Sequence, residues 1–414
     1  MPEIGIGILN AHNSFNYGSM MMCENTIFYL SKIFPNARFV VLSDFVEETE
    51  SRLKKATGCR NIEVRRRTLS SNRIERFSKR LSFVVDQLIF RYRGVIKALE
   101  GCSVVIVLGG DDIAEYYGNM RLVDILLRLR YLKKNGKKVY LLGQTIGPIS
   151  SWRRVLARQV LCKMDRIYHR GPVSYKFVTD VLGARGNSFV SSDLAFLDLA
   201  RQHVGFDLER YDLQAGKYIT FVPSGFWQSY CGDYKTFFGG LLRVRKYLQK
   251  ICEERHLKLV LLPHVLRTSD DRTLVRQIIA AGDANGTIVG VVDPLLPYEA
   301  REILGNSYLV VSQRMHGAIS SLQRGVPAVC LSYSVKFSEV VGRCLGLPEL
   351  VVEIGKGNFE EDLDKACSTI DLTLQNMAEL KVRIEKKVCE AKKDAAIQIE
   401  EIAKDILSGF KVRS

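Results

Sequence analysis

The strongest constraint on this chain is an alternation. Short apolar runs recur between stretches with helical periodicity, from residue 4 to about residue 331. Val104-Val105-Ile106-Val107-Leu108 shows the pattern: an unbroken apolar run reads as a strand covered on both faces, as in a parallel sheet with crossover helices. Strands are expected at 4–9, 38–42, 103–108, 138–142 and 166–169, then at 218–222, 257–262, 287–291, 308–311 and 328–331. Helices are expected at 19–33, 73–99, 121–134, 152–162 and 173–182, then at 234–254, 270–281, 298–304 and 317–324. A chain of 414 residues exceeds what one hydrophobic core usually supports. The expected architecture is α/β, with two Rossmann-like domains facing a cleft and C-terminal helices. Residues 1–197 would form the basic first domain and 217–358 the second. The aperiodic stretch 198–216 would link them, and the proline-free, Glu/Lys/Ala/Leu-rich stretch 359–414 would pack back across both.

Charge narrows the function. The formal net charge is +15, concentrated in two windows: residues 51–100 hold 14 Lys and Arg against four acids, and residues 121–170 hold 13 against two. Such a face attracts polyanions, namely nucleic acid, anionic lipid or phosphorylated substrate. Two basic stretches favour lipid. One sets Phe77, Leu81, Val84, Val85, Leu88 and Ile89 beside Arg73, Arg76, Lys79 and Arg80. The other sets Trp152, Val155, Leu156, Val160 and Leu161 among Arg153, Arg154, Arg158, Lys163 and Arg166. Zinc-finger spacing and RNA-recognition aromatics are missing, so nucleic acid is not expected. The ten cysteines are scattered singly, which suits reduced thiols and offers no metal-site spacing. With no signal-peptide pattern at the first residues and no long uncharged run, a cytoplasmic, peripherally membrane-bound protein is expected.

In open α/β sheets, ligands bind beyond the carboxyl ends of the strands. After the first strand, Asn10 to Gly18 forms a turn whose amides, Asn16 among them, can meet a ligand or cap a helix. After the third come Gly109-Gly110-Asp111-Asp112, where glycines admit a ligand to the backbone and a carboxylate can orient or deprotonate a sugar hydroxyl. Capping is the other reading of Asp112. Gln144 and Arg170 follow two further strands; Arg170 can reach an anion or pair with a neighbouring carboxylate. In the second half, Ser312-Gln313-Arg314-Met315-His316-Gly317 passes from strand to helix. Arg314 offers a bidentate donor, His316 a proton near neutral pH, and the helix start at Gly317 its amides. His264 and Lys336 also follow strand ends.

These segments together resemble the polysaccharide pyruvyl transferase family. The matching stretches are Asn16-Tyr17-Gly18, Gly109-Gly110-Asp111, Gly143 to Pro148, Arg170 with Ser174, Ser192 to Phe196, Arg314 to Gly317, Gly325-Val326-Pro327 and Ser332 to Lys336. Ser19 and Gly171 depart from it, each standing where Asp is usual. The resemblance implies a GT-B-like fold and transfer of pyruvate from phosphoenolpyruvate to a sugar as a ketal, with no cofactor and no metal. Arg314, His316, Gly317, Arg170, Lys336 and His264 would then bind phosphoenolpyruvate. His316, Asp111 and Asp112 would be catalytic, and Asn16, Gly110, Asp111 and Gln144 would meet the acceptor. That acceptor would be a galactose-type residue on a lipid-linked precursor of a capsule or exopolysaccharide. A nucleotide-sugar glycosyltransferase is the alternative, but such enzymes often carry an acidic residue that holds the ribose, and Gly317 to Pro327 contains none. A non-catalytic surface-binding protein would leave Arg314 and His316 without a purpose.

Overall fold

The computed structural model describes residues 4–67, 92–228, 233–267, 270–282, 287–355 and 358–411. They divide into two compact units, one of residues 1–14, 22–193 and 396–414, the other of 15–21 and 194–395.

The first unit holds a seven-stranded sheet of β1 (Gly5–Leu9), β2 (Arg38–Ser43), β3 (Ile62–Arg66), β4 (Val104–Leu108), β5 (Lys138–Gln144), β6 (Arg166–His169) and β7 (Ser188–Val190). Their order is β3-β2-β1-β4-β5-β6-β7, parallel throughout. Every residue of β1 and β4 is buried, as two-sided cover by helices requires. The helix Asn119–Lys134 supplies part of that cover. Its Leu122, Ile125, Leu126, Leu129 and Leu132 recur on one face, and all are buried in the core cluster.

The second unit holds β8 (Tyr218–Val222), β9 (Lys258–Leu261), β10 (Ile288–Gly290), β11 (Leu309–Ser312), β12 (Ala328–Ser332) and β13 (Val351–Glu353). Their order is β10-β9-β8-β11-β12-β13, again parallel. In each sheet the winding reverses between the first and fourth strands. That places one switch point at β1/β4 and another at β8/β11, where crossover helices diverge and leave a ligand crevice.

The structure departs from sequence expectation mainly at sheet edges. β3 was hidden by Glu63, Arg65 and Arg66, and β7 and β13 are only three residues long. The charged helix Val46–Thr57 was likewise missed. Residues 198–216 group with the second unit rather than lying between domains. Leu199 and Leu213 are buried there, and Gln202 bonds Arg301 (3.0 Å) and Gln323 (3.2 Å). Short 3-10 turns, which have no apolar period, account for the linker-like sequence. Of the basic helix expected at 73–99, residues 92–98 are helical. The remainder of that expectation, from Arg73 to residue 91, lies outside the described residues.

The helix Phe359–Gln375 lies in the second unit, while Met377–Lys411 contributes residues up to 395 to the second and later ones to the first. In the first unit its Asp405 accepts from the Tyr140 hydroxyl (2.5 Å), and Gln398 donates to Ser191 Oγ (3.0 Å). Among the described residues no helix is long and apolar enough to cross a membrane.

Candidate functional site

At the switch point of the second sheet, Gln313 follows β11 and accepts a hydrogen bond from the Ser224 amide beyond β8 (2.8 Å), tying the two strand ends together. Arg314 comes next and is 8% exposed. Its Nε donates to Asp271 Oδ2 (3.1 Å) and its Nη2 to Oδ1 (2.7 Å). Asp271 also accepts from the amides of Val265 (3.0 Å) and Gly225 (3.4 Å), so its carboxylate is fixed from three directions. Burial works against the charge on Arg314, but Asp271 and a hydrogen bond with Tyr333 more than offset it, and its pKa is raised. Arg314 is a permanent, immobilised guanidinium.

Two histidines accompany it. His264 lies beyond β9, fully buried, edge-on to Tyr17 with ring centroids 5.4 Å apart. Burial, aided by His316 and Arg314, pushes its pKa well below the usual histidine value, so it is neutral at pH 7. Its Nε2 is buried and has no hydrogen-bond partner among the described residues. His316, half-buried, is the second residue of the helix Met315–Gln323. Its ring occupies the space where a side chain on Gly18 would stand, so only glycine fits there. Lys336 lies in the turn after β12, with Nζ 5.2 Å from the Tyr333 ring centroid.

The Asn16-Tyr17-Gly18 segment belongs to this same unit. Asn16 pairs with Val265 in a β-bridge, and its Oδ1 accepts from the Ser19 amide (3.4 Å), so Asn16 caps the helix Tyr17–Ile33. Gly317 is buried and its amide donates to the Arg314 carbonyl (2.9 Å). A Cβ there would stand 2.7 Å from Ser312 Oγ, so Gly317 serves close helix–strand packing. Arg314, His316, His264, Lys336 and Asn16 are thus gathered in one unit. Asp271 and Tyr333 complete the set. Asp271 went unread because its only sequence signal was an Asp-Asp pair at a helix start.

The first unit treats two expected ligand residues differently. Arg170 is 1% exposed, with Nε on Thr145 Oγ1 and Nη1 on Asp193 Oδ2 (both 2.8 Å). A guanidinium so enclosed is a scaffold group, correcting its expected role as a donor ligand. Ser174 belongs to the same framework, accepting from the Ile146 amide (2.7 Å) and meeting His169 Nδ1 (2.9 Å). Gln144, also 1% exposed, donates to the Val107 carbonyl (2.9 Å), so it braces β4 and β5 rather than facing an acceptor. The Gly110 carbonyl accepts from the Thr145 amide (2.9 Å).

Asp111 and Asp112 are half-buried beyond β4, in the first unit, whereas His316 is in the second. Asp112 accepts from Arg121 Nη2 (2.5 Å) and lines a cavity of about 340 Å³ with Asn10, His12, Arg67, Tyr92 and Arg128. No group of three or more metal-ligating side chains is present among the described residues.

Two parallel-sheet Rossmann-like domains define a GT-B-like fold, and solved structures agree. A UDP-N-acetylglucosamine 2-epimerase of Listeria monocytogenes aligns at TM-score 0.61 and 14% identity, covering 100% of this chain and 97% of that one. A glycosyltransferase of Rickettsia africae aligns at TM-score 0.55 and 13% identity, covering 98% and 99%. The family model "polysaccharide pyruvyl transferase" matches residues 16–335, and the chain belongs to that family. The amylovoran biosynthesis protein AmsJ of Erwinia amylovora is 26% identical over 277 residues. That match spans 62% of this chain and 62% of the relative.

Proposed function

We propose that this chain transfers pyruvate from phosphoenolpyruvate to two hydroxyls of one sugar in a polysaccharide precursor, forming a cyclic ketal and releasing phosphate. One observation carries the reading: Arg314, locked by Asp271, stands with His264, His316, Tyr333 and Lys336 at the β8/β11 switch point. Phosphoenolpyruvate presents a phosphate and a carboxylate, and a fixed guanidinium, a lysine and a helix start suit both. Ketal formation needs a proton at the methylene carbon, after which the C2 cation accepts one sugar hydroxyl. Loss of phosphate then admits the second hydroxyl, and the two hydroxyl protons leave to base. His316 is assigned the proton donation or the stabilisation of departing phosphate, and Asp111 or Asp112 the steering of hydroxyls. Kinship with an amylovoran biosynthesis protein supports exopolysaccharide synthesis as the setting.

The acceptor is proposed to be a lipid-linked, galactose-type sugar, reached by peripheral attachment to anionic membrane. Trp152 and Val155 are 61% and 58% exposed beside the exposed Arg154 and Arg158, and Tyr116 and Met120 are also exposed nearby in the chain fold. Glu115 links these segments by accepting from the Ser150 amide (2.9 Å) and Arg153 Nε (2.6 Å). Exposed aromatic and apolar side chains among arginines suit a lipid interface.

The test is phosphate release from phosphoenolpyruvate with a galactoside acceptor, against uridine diphosphate release from nucleotide sugars. Phosphate release with a product heavier by pyruvate minus water is expected. Nucleotide release alone would replace this reading with glycosyl transfer.

A further inference from the structure

The cavity of the first unit lies at the other switch point. Asn10 follows β1, Asp112 follows β4 and Arg67 follows β3. Tyr92 and Val95 line one side, and Arg121, Asp124, Ile125 and Arg128 of the helix Asn119–Lys134 line another. At about 340 Å³ it falls within the range of small-ligand sites, roughly 300–1,000 Å³. Its rim is held in place. Asn10 adopts a left-handed conformation (φ 67°), unusual for a residue other than glycine, and its Nδ2 donates to the Leu108 carbonyl (3.2 Å), joining the ends of β1 and β4.

Most charges in the cavity are already matched. Arg67 forms a two-pronged pair with Asp44 (3.1 and 3.0 Å), and Arg121 reaches Asp112. Asp124 accepts from the Tyr92 hydroxyl (3.0 Å). Arg128 is the exception. Its Nε is buried without a hydrogen-bond partner among the described residues, and burial, with Arg67 beside it, disfavours its charge more than the nearby Asp124 and Asp112 support it. A half-buried guanidinium whose Nε is buried without a partner among the described residues favours an acceptor that brings its own negative charge. His12, whose pKa is lowered by burial and by Arg67, is neutral at pH 7 and adds hydroxyl-binding capacity without another charge.

We infer that this cavity is an oxyanion-recognising saccharide subsite, in which Arg128 binds a phosphate or carboxylate carried by the acceptor sugar while His12, Asn10 and Asp112 meet its hydroxyls. The assignment to the acceptor rests on the pyruvyl-transfer reading; the anion preference of the cavity does not. It involves residues distinct from the Arg314 set.

Calorimetric titration of the full chain with galactose 1-phosphate, galacturonate and methyl galactoside tests the inference, with phosphoenolpyruvate titrated in parallel. Wild-type protein is expected to bind at least one anionic sugar about tenfold more tightly than the neutral one, as one charged hydrogen bond implies. Preference for galactose 1-phosphate would identify the anion as phosphate, and preference for galacturonate as carboxylate. R128Q should erase the preference while phosphoenolpyruvate binding persists. Equal binding of charged and neutral sugars by wild type, which needs no variant, overturns the inference, as does a preference that survives in R128Q. Failure of wild type to bind phosphoenolpyruvate would instead overturn the proposed reaction, leaving the cavity's anion preference standing.

Discussion

Asp271 grips Arg314 along one edge of its guanidinium, with Nε–Oδ2 at 3.1 Å and Nη2–Oδ1 at 2.7 Å. The carboxylate in turn is anchored by the Val265 and Gly225 amides. The pair therefore fixes the Arg314 guanidinium through backbone geometry from two other loops. D271N should leave Arg314 present but unclamped, raising KM for phosphoenolpyruvate about tenfold or more. Breaking a buried pair also costs stability, on the order of 3–5 kcal/mol. R314K should not rescue function, because a point charge cannot reproduce the two-pronged contact. Near-normal turnover and donor affinity in R314K would remove Arg314 from the donor site.

Gly18 and His316 make a second pair. G18A should displace the imidazole, since the added methyl overlaps the ring. A misplacement of about 1 Å can cost on the order of 100-fold in rate, so turnover should fall far more than the melting temperature. H316A should reproduce that pattern. Parallel loss of stability and activity in both variants would make His316 a packing residue.

Arg170 gives the contrasting outcome. R170A and D193A should each destabilise the protein by about 3–5 kcal/mol, since each strands a buried charge. The double variant should lose much less than the sum. Denaturant midpoints measure the coupling. Additive losses would mean that Arg170 has another principal partner, such as a ligand.

How far these roles were legible depended on where the signal lay. Central strands announced themselves because burial on both faces excludes polar side chains, as in β1 and β4. Edge strands did not, because β3 exposes Arg66 and uses Arg65 to bind Glu63. Arg314 and His316 were readable as polar residues at a strand-to-helix turn. Arg170 stands at an equivalent position, yet its partner Asp193 lies 23 residues away, and only folding shows that the pair is closed off. Asp271 and Arg128 were invisible for the same reason: each draws its meaning from neighbours distant in the chain.

Acid should weaken the fold in a defined window. Burial lowers the pKa of His169 to about 3 and that of His264 well below its ordinary value. Both folded-state values lie below the unfolded one near 6.5. The unfolded chain therefore binds protons that the folded chain refuses, and stability falls as pH drops below about 6.5. Above pH 7 these groups contribute no slope. Urea midpoints at pH 7.5, 6 and 5 should decline stepwise, and H264Q should flatten the decline. A flat profile from pH 7.5 to 5 would contradict the buried neutral histidines.

Membrane attachment can be tested on the exposed face around Trp152. Trp152 and Val155 stand 61% and 58% exposed, although each would be better covered, and Arg154 and Arg158 are exposed with them on the helix Arg153–Leu161. A lipid interface would accept the apolar groups while each nearby arginine contributes about 1 kcal/mol against anionic headgroups. The two contributions separate experimentally. Arg154→Glu with Arg158→Glu should abolish the dependence on anionic lipid, and Trp152→Ala should weaken binding at every lipid charge. Salt should act on the first contribution only, because the screening length shrinks from about 10 Å at 0.1 M to about 3 Å at 1 M. Co-sedimentation with vesicles of graded anionic content, at low and high salt, measures both. Wild-type binding that ignores lipid charge and salt would reject the electrostatic part. Binding unchanged by Trp152→Ala would reject insertion of the indole, leaving the exposed face to serve another purpose.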